Sequence, residues 1–194
     1  MSRYRTSRSR AWRAFEPGLA PVPVSAVRTQ CRILGLDPGS QRTGFGLIDI
    51  AGGDYVHRAH GCISARDGEL SQRLRLIFEA VQRLVAEHRP DEVAIERVFV
   101  NRNVDSALKL GQARGAALCA VPQGTPVFEY APRAIKLALV GFGGAEKRQV
   151  GHMIRALLRI DARITTDASD ALAIAICHAH SRRLQALAEA GACR

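Results

Sequence analysis

Four acidic residues stand where a carboxylate is costly or conspicuous. Asp37 closes the apolar run ILGLD (33–37) and is followed by a Pro-Gly-Ser turn. Glu96 sits inside VAIERVF (93–99), an acid among apolar neighbours. Asp167 and Asp170 lie three apart in TTDASDALAIAI (165–176). That spacing puts both on one face of a helix, in or near its first turn. A carboxylate leaving water must be paired, hydrogen-bonded or bound to a metal. Four aimed at one spot repel, and each resists ionising. Hard divalent cations resolve the conflict, because oxygen donors suit Mg²⁺ or Mn²⁺. Two such ions about 3.5–4 Å apart are the usual machinery of in-line phosphodiester hydrolysis. Plainer readings exist for single residues. Asp37 before Pro-Gly also reads as a turn residue, and Asp167 or Asp170 as a helix cap. Glu96 has few structural excuses in the middle of an apolar strand. The conjunction says more than any member.

The elements around these acids decide whether they meet. Residues 32–37 and 43–50 read as two strands of a hairpin around a short Gly-containing turn, and 55–65 as a third strand after AGGD. Residues 71–88 repeat Leu74, Ile77, Phe78, Val81, Leu84 and Val85 at helical spacing, and Arg89-Pro90 ends that helix. Residues 91–99 form a short strand of the buried, parallel type. A helix is predicted over 105–121, a last strand over 125–132, and helices over 145–158 and 169–187. Three strands in a meander, then helix, strand, helix, strand and helices make an α/β fold: a five-stranded mixed sheet flanked by helices. If strands one and four are neighbours, Asp37 and Glu96 share one end of the sheet.

Composition narrows the partner. The chain of 194 residues carries 28 Lys+Arg against 18 Asp+Glu, a net charge of +10. That balance points to a polyanion, most often nucleic acid. Half of the excess lies in residues 1–30, rich in Arg, Ser and Pro, which read as a basic, disordered extension or as an upstream translation start without function. The remainder, 31–194, stays basic and reads as one domain. Five scattered cysteines form no C-x-x-C pair, which fits a reducing cytoplasm. No apolar run reaches the roughly 18 residues of a membrane span.

From about Arg32 to His180 the sequence resembles the RuvC Holliday-junction resolvases of the ribonuclease H-like superfamily. The motifs are ILGLDPGSQRTGFGLI, AIERVFVNRNVDSALKLGQARG, PVFEYAPRAIK, GAEKRQV and DASDALAIAICHAH. The resemblance implies a ribonuclease H-like fold with metal-binding, catalytic acids at Asp37, Glu96, Asp167 and Asp170. It implies two Mg²⁺ per subunit, with Mn²⁺ able to substitute. It implies a homodimer that binds four-way junction DNA and nicks two strands of like polarity, leaving 5′-phosphate and 3′-hydroxyl ends, in cooperation with RuvA and RuvB. Two departures stand out: Arg97 follows Glu96 where the family commonly has Gln, and residues 1–30 lie outside the pattern.

Further residues keep two readings each. Phe99 reads as a core aromatic or, by the resemblance, as a platform stacking on an exposed base, worth about 1–3 kcal/mol. Lys136 and Lys147 match family lysines near the DNA. Arg102, Lys109, Arg114, Arg133 and Arg148 are candidate phosphate contacts, each also readable as a solvated charge. Ala107, Gly111 and Gly115 form a small-residue face suited to a helix–helix dimer contact or to internal packing. His178 and His180 read as packed or solvated, and Glu129 as structural or supporting the site. Two rivals compete with the nuclease. An actin-like ATPase shares the pattern of Asp37, Gly39, Ser40 and Thr43, but needs a second lobe. A junction-binding protein without activity gains nothing from acids facing phosphates.

Overall fold

Side-chain alternation along the first strand sets the layering. In β1 (Gln30–Asp37), Leu34 and Leu36 enter one apolar core while Cys31 and Ile33 enter another. A strand buried on both faces needs helices on both sides. The computed structural model, which describes residues 30–97 and 104–192, has that arrangement. β2 (Arg42–Ala51) pairs antiparallel with β1 and β3 (Asp54–Ser64) antiparallel with β2. β4 (Glu92–Glu96) runs parallel to β1, and β5 (Val127–Tyr130) parallel to β4. The sheet order is β3-β2-β1-β4-β5, the meander plus two parallel strands read from the sequence.

Helices α1 (Leu70–His88) and α2 (Val104–Cys119) cover the Leu34, Leu36 and Ile95 face. Helices α3 (Pro132–Val140), α4 (Lys147–Leu158) and α5 (Thr166–Ala192) cover the other. In α1, Ile77, Val81 and Val85 are buried at four-residue steps, as the apolar period requires. Its end falls at Arg89, left-handed at φ 47°, because Pro90 disfavours a further helical residue before it.

Most boundaries differ from the sequence reading by one to five residues: β5 spans 127–130 rather than 125–132, and α5 spans 166–192 rather than 169–187. The fourth strand ends at Glu96 rather than at 99, and residues 98–103 lie outside the described residues. Helix α3 was not anticipated. Pro132 at its first turn and left-handed Gly141 after its last are helix punctuation, and Ile135 and Leu139 bury its one apolar side.

Three glycines let α5 lie directly on the sheet. A Cβ at Gly44 would sit 2.0 Å from the Asp167 carbonyl oxygen, and one at Gly35 2.2 Å from that of Ala171. At Gly46 it would meet Leu172 at 2.7 Å. The helix answers with buried alanines at 168, 171 and 175. This contact delivers the α5 acids to the end of β1.

Candidate active site

Period-two alternation sends Asp37 to the same face of β1 as Ile33, the face that α5 covers. In β4 it sends Glu92, Ala94 and Glu96 to that face, opposite Val93 and Ile95. The parallel register pairs Leu36 with Ile95, so Asp37 and Glu96 end adjacent strands side by side. Helix α5 begins at Thr166 with Thr165 as its cap, whose hydroxyl accepts from Ala168 N at 3.4 Å. Capping therefore falls to Thr165, and Asp167 and Asp170 are free for other partners.

The four acids share one electrostatic field. Burial pushes the Asp37 carboxyl up to about 7, with Glu96, Asp170 and Asp167 adding repulsion in that order. Glu96 is raised by burial and then by Asp170. Basic groups have moved in. Lys147 Nζ bonds Asp170 Oδ2 at 3.1 Å, which raises the lysine pKa. Arg42 Nη1 lies 3.3 Å from Asp167 Oδ2, and Cys62 Sγ donates to the same oxygen at 3.5 Å.

Among the described residues, no three His, Cys, Asp or Glu side chains close on one point as a ligand set. The expected four-carboxylate shell is thus not assembled as the side chains stand. Like charges turn to the nearest cations rather than to one another. The donors nevertheless fit a hard divalent ion. They are carboxylate oxygens, and both the burial of Asp37 and the three acids around it penalise its charged form, a penalty that a bound cation relieves.

The remaining expected residues divide. Lys147 stands at the acids, with Arg148 exposed beside it at the start of α4. Arg133 and Lys136 lie on α3, and Lys109 on α2 pairs with Asp105 at 2.6 Å. Arg114 is turned inward, away from the phosphate role expected of it. Its Nε donates to the Glu96 carbonyl at 3.2 Å and its Nη2 lies 2.5 Å from Glu129 Oε1. Phe99 and Arg102 lie outside the described residues. His178 is packed, stacked on Phe128 and 1% exposed, and His180 Nδ1 lies 3.1 Å from the Ala138 carbonyl oxygen. Sequence reasoning missed Arg42 and Cys62, which reach Asp167 from two strands. Only the pairing of β2 with β3 beneath α5 brings them there.

An α/β sheet of this order, with acids at the ends of its first and fourth strands, defines a ribonuclease H-like fold with a carboxylate centre. The family profile of the crossover junction endodeoxyribonuclease RuvC matches residues 33–178. The chain belongs to that family. The Alkalilimnicola ehrlichii enzyme is 55% identical over 163 residues, spanning 83% of this chain and 99% of that protein. The Methylococcus capsulatus enzyme is 54% identical, over 78% and 92%. Among solved structures, Thermus thermophilus RuvC in complex with Holliday junction substrate aligns at TM-score 0.75 and 32% identity, covering 80% of this chain and 97% of that one. The yeast mitochondrial resolvase Ydc2 shares the fold at TM-score 0.61 and 12% identity. Family membership removes the ATPase rival.

Proposed function

We propose that this chain is a metal-dependent endonuclease that resolves four-way DNA junctions by paired nicks in strands of like polarity. The observation that supports the reading is the nearness of Asp37 and Glu96, at the ends of adjacent strands, to the start of α5 with Asp167 and Asp170, which packs on Gly44 opposite Asp37. A pure binding protein has no use for that field beside phosphates. These four residues would hold the metal, with Mg²⁺ the ion and Mn²⁺ a substitute. When bound, such ions supply Lewis acidity, lowering the pKa of a water and stabilising the oxygen that leaves.

The chain's own groups complete the site. Lys147 and Arg42 offset the acids, so that a phosphate can approach. Arg133, Lys136, Arg148 and Lys109 are proposed backbone contacts, and Phe99 and Arg102, which lie outside the described residues, are proposed as further DNA contacts. Val104, Leu108 and Gly111 are exposed on α2, and a Cβ at Gly111 or Gly115 would meet nothing within 4 Å. Internal packing leaves this face open, which supports a homodimer formed through it. RuvA and RuvB are the proposed branch-migration partners and the cytoplasm the proposed compartment. No described helix is long and apolar enough to cross a membrane.

The test is a labelled four-way junction beside a matched linear duplex, with Mg²⁺ and with EDTA. Paired nicks with 5′-phosphate ends, in the junction alone and only with metal, are expected. Tight binding without nicks under Mg²⁺ or Mn²⁺ would replace the enzyme by the binding-only reading.

A further inference from the structure

Glu96 is gripped from the side opposite its own carboxylate. Its side chain faces α5, while its carbonyl oxygen accepts from Arg114 Nε, 3.2 Å away on α2. Arg114 follows Ala113, which is buried together with Ala117 against the sheet, so its stem leaves the helix beside that contact. Its Nη2 lies 2.5 Å from Glu129 Oε1, an ion pair by distance rather than an aligned hydrogen bond, and Glu129 stands on β5 opposite Ile95. Arg97, the residue just after the strand, joins from the other side. Its N–H donates to the Tyr130 carbonyl at 2.8 Å, and its Nε lies 3.6 Å from Glu129 Oε2. One carboxylate therefore gathers two guanidiniums around the last residue of β4.

The end of β4 needs this grip. The strand stops at Glu96, where the ladder ends, so its terminal carbonyl depends on a donor brought from elsewhere. A rotation of that peptide carries the Glu96 carboxylate with it. We propose that Arg114 and Glu129 are positioning residues, a clamp from α2 and β5 that fixes the carbonyl end of β4 and so aims the Glu96 carboxylate. The clamp rests on the reading of Glu96 as a metal-binding residue of the nuclease. It assigns Arg114 no contact with DNA and gives Glu129, an acid near a polyanion, a reason to be there.

The test compares Arg114→Ala, Glu129→Gln and the double variant with the full-length parent on a labelled four-way junction. Single-turnover nicking is measured against Mg²⁺ concentration, and junction affinity is measured in EDTA at several salt concentrations. Each single variant is expected to nick about 10- to 100-fold more slowly, the scale of a carboxylate displaced by about 1 Å. The double variant falls no further than the slower single one, because the two residues act as a unit. Half-saturating Mg²⁺ rises, while junction affinity and its salt slope stay unchanged. A merely structural role would lower the folded fraction without moving the Mg²⁺ dependence. The clamp is overturned if Glu129→Gln nicks normally, above all if Arg114→Ala also weakens binding and lowers the salt slope by about one, the mark of a lost phosphate contact. If Arg114→Ala does not fold, Glu129→Gln decides alone, since its side chain is 39% exposed and tolerates an amide. Glu96→Gln, run beside them, separates the two claims. Nicking that survives there overturns the carboxylate reading itself, whereas nicking lost there but normal in both clamp variants overturns only the clamp.

Discussion

Strand β4 turns two glutamates toward α5, one at each end, and their fates are opposite. Glu92 meets a complete set of partners. His178 Nε2 lies 2.6 Å from Oε2, Arg182 Nη1 bonds Oε1, and Tyr130 Oη sits 2.7 Å from His178 Nδ1. Burial alone would raise the Glu92 pKa, but the hydrogen bonds from His178 and Arg182 outweigh it and the net shift is downward. Glu96, two side chains further along the same face, is raised, by burial first and then by Asp170, with no hydrogen bond from a cation to outweigh them. One seam thus holds a satisfied carboxylate that fastens helix to sheet and, at its other end, two carboxyls, Asp37 and Glu96, that burial and neighbouring acids disfavour in the charged form. Groups held at such a cost persist where function uses them. The contrast separates the anchor of α5 from its working end.

The largest effect expected from breaking this contrast is on chemistry. Asp37→Asn should abolish metal-dependent nicking while junction binding in EDTA persists, measured by gel cleavage and by binding titration. The same substitution should stabilise the apoprotein. The Asp37 folded value of about 7 lies above its ordinary 3.8. Between those values the native state binds more protons than the unfolded one, so Asp37 costs stability as pH rises from about 4 to about 7. The melting temperature of Asp37→Asn minus that of the parent should therefore grow over that window in EDTA.

At the anchored end the signs reverse. Glu92→Ala leaves His178 and Arg182 buried without their carboxylate and should cost about 3–5 kcal/mol in denaturant unfolding. Nicking per folded molecule should change little. Because the folded Glu92 value lies below its ordinary 4.5, its contribution is whole above that pH and is lost on acidification through it. Gly44→Ala should fall between the two ends. Its new Cβ meets the Asp167 carbonyl and must push α5 off the sheet, costing about 1–3 kcal/mol by calorimetry together with nicking activity.

The working end was more legible in the sequence than the anchor. Asp37 and Glu96 interrupt apolar runs, and a lone acid there is visible by period alone. Asp167 and Asp170 show themselves by spacing. Glu92, next to the polar Asp91, reads as an ordinary strand start, and nothing local tells that His178, 86 residues later, will reach it. Helix α3 escaped because its nine residues follow VFEY without a break that periodicity registers, although its Pro and Gly punctuation was present. Arg114 looked like a phosphate contact because side-chain type is local, whereas its partners on β4 and β5 are set by packing. Gly35, Gly44 and Gly46 were visible in GLDPGSQRTGFG, but their meaning, room for α5, is a property of two elements together.

The smallest expected effect is the response of junction affinity to salt at the basic surface. Affinity should fall steeply as salt rises, and each of Lys136→Ala and Arg148→Ala should lower the slope by about one. Glu92→Ala should not alter it.

The central claim, that Asp37 and Glu96 are held at a cost to the apoprotein for the sake of a metal, is tested most directly by thermal unfolding of the parent and of Asp37→Asn at pH 8, in EDTA and across a Mg²⁺ titration. The account predicts that Asp37→Asn melts higher in EDTA. It predicts that Mg²⁺ raises the parent by the equivalent of about 2.7 kcal/mol at one hundred times its dissociation constant, and raises the variant far less. A parent that melts higher than Asp37→Asn in EDTA and ignores Mg²⁺ would contradict it.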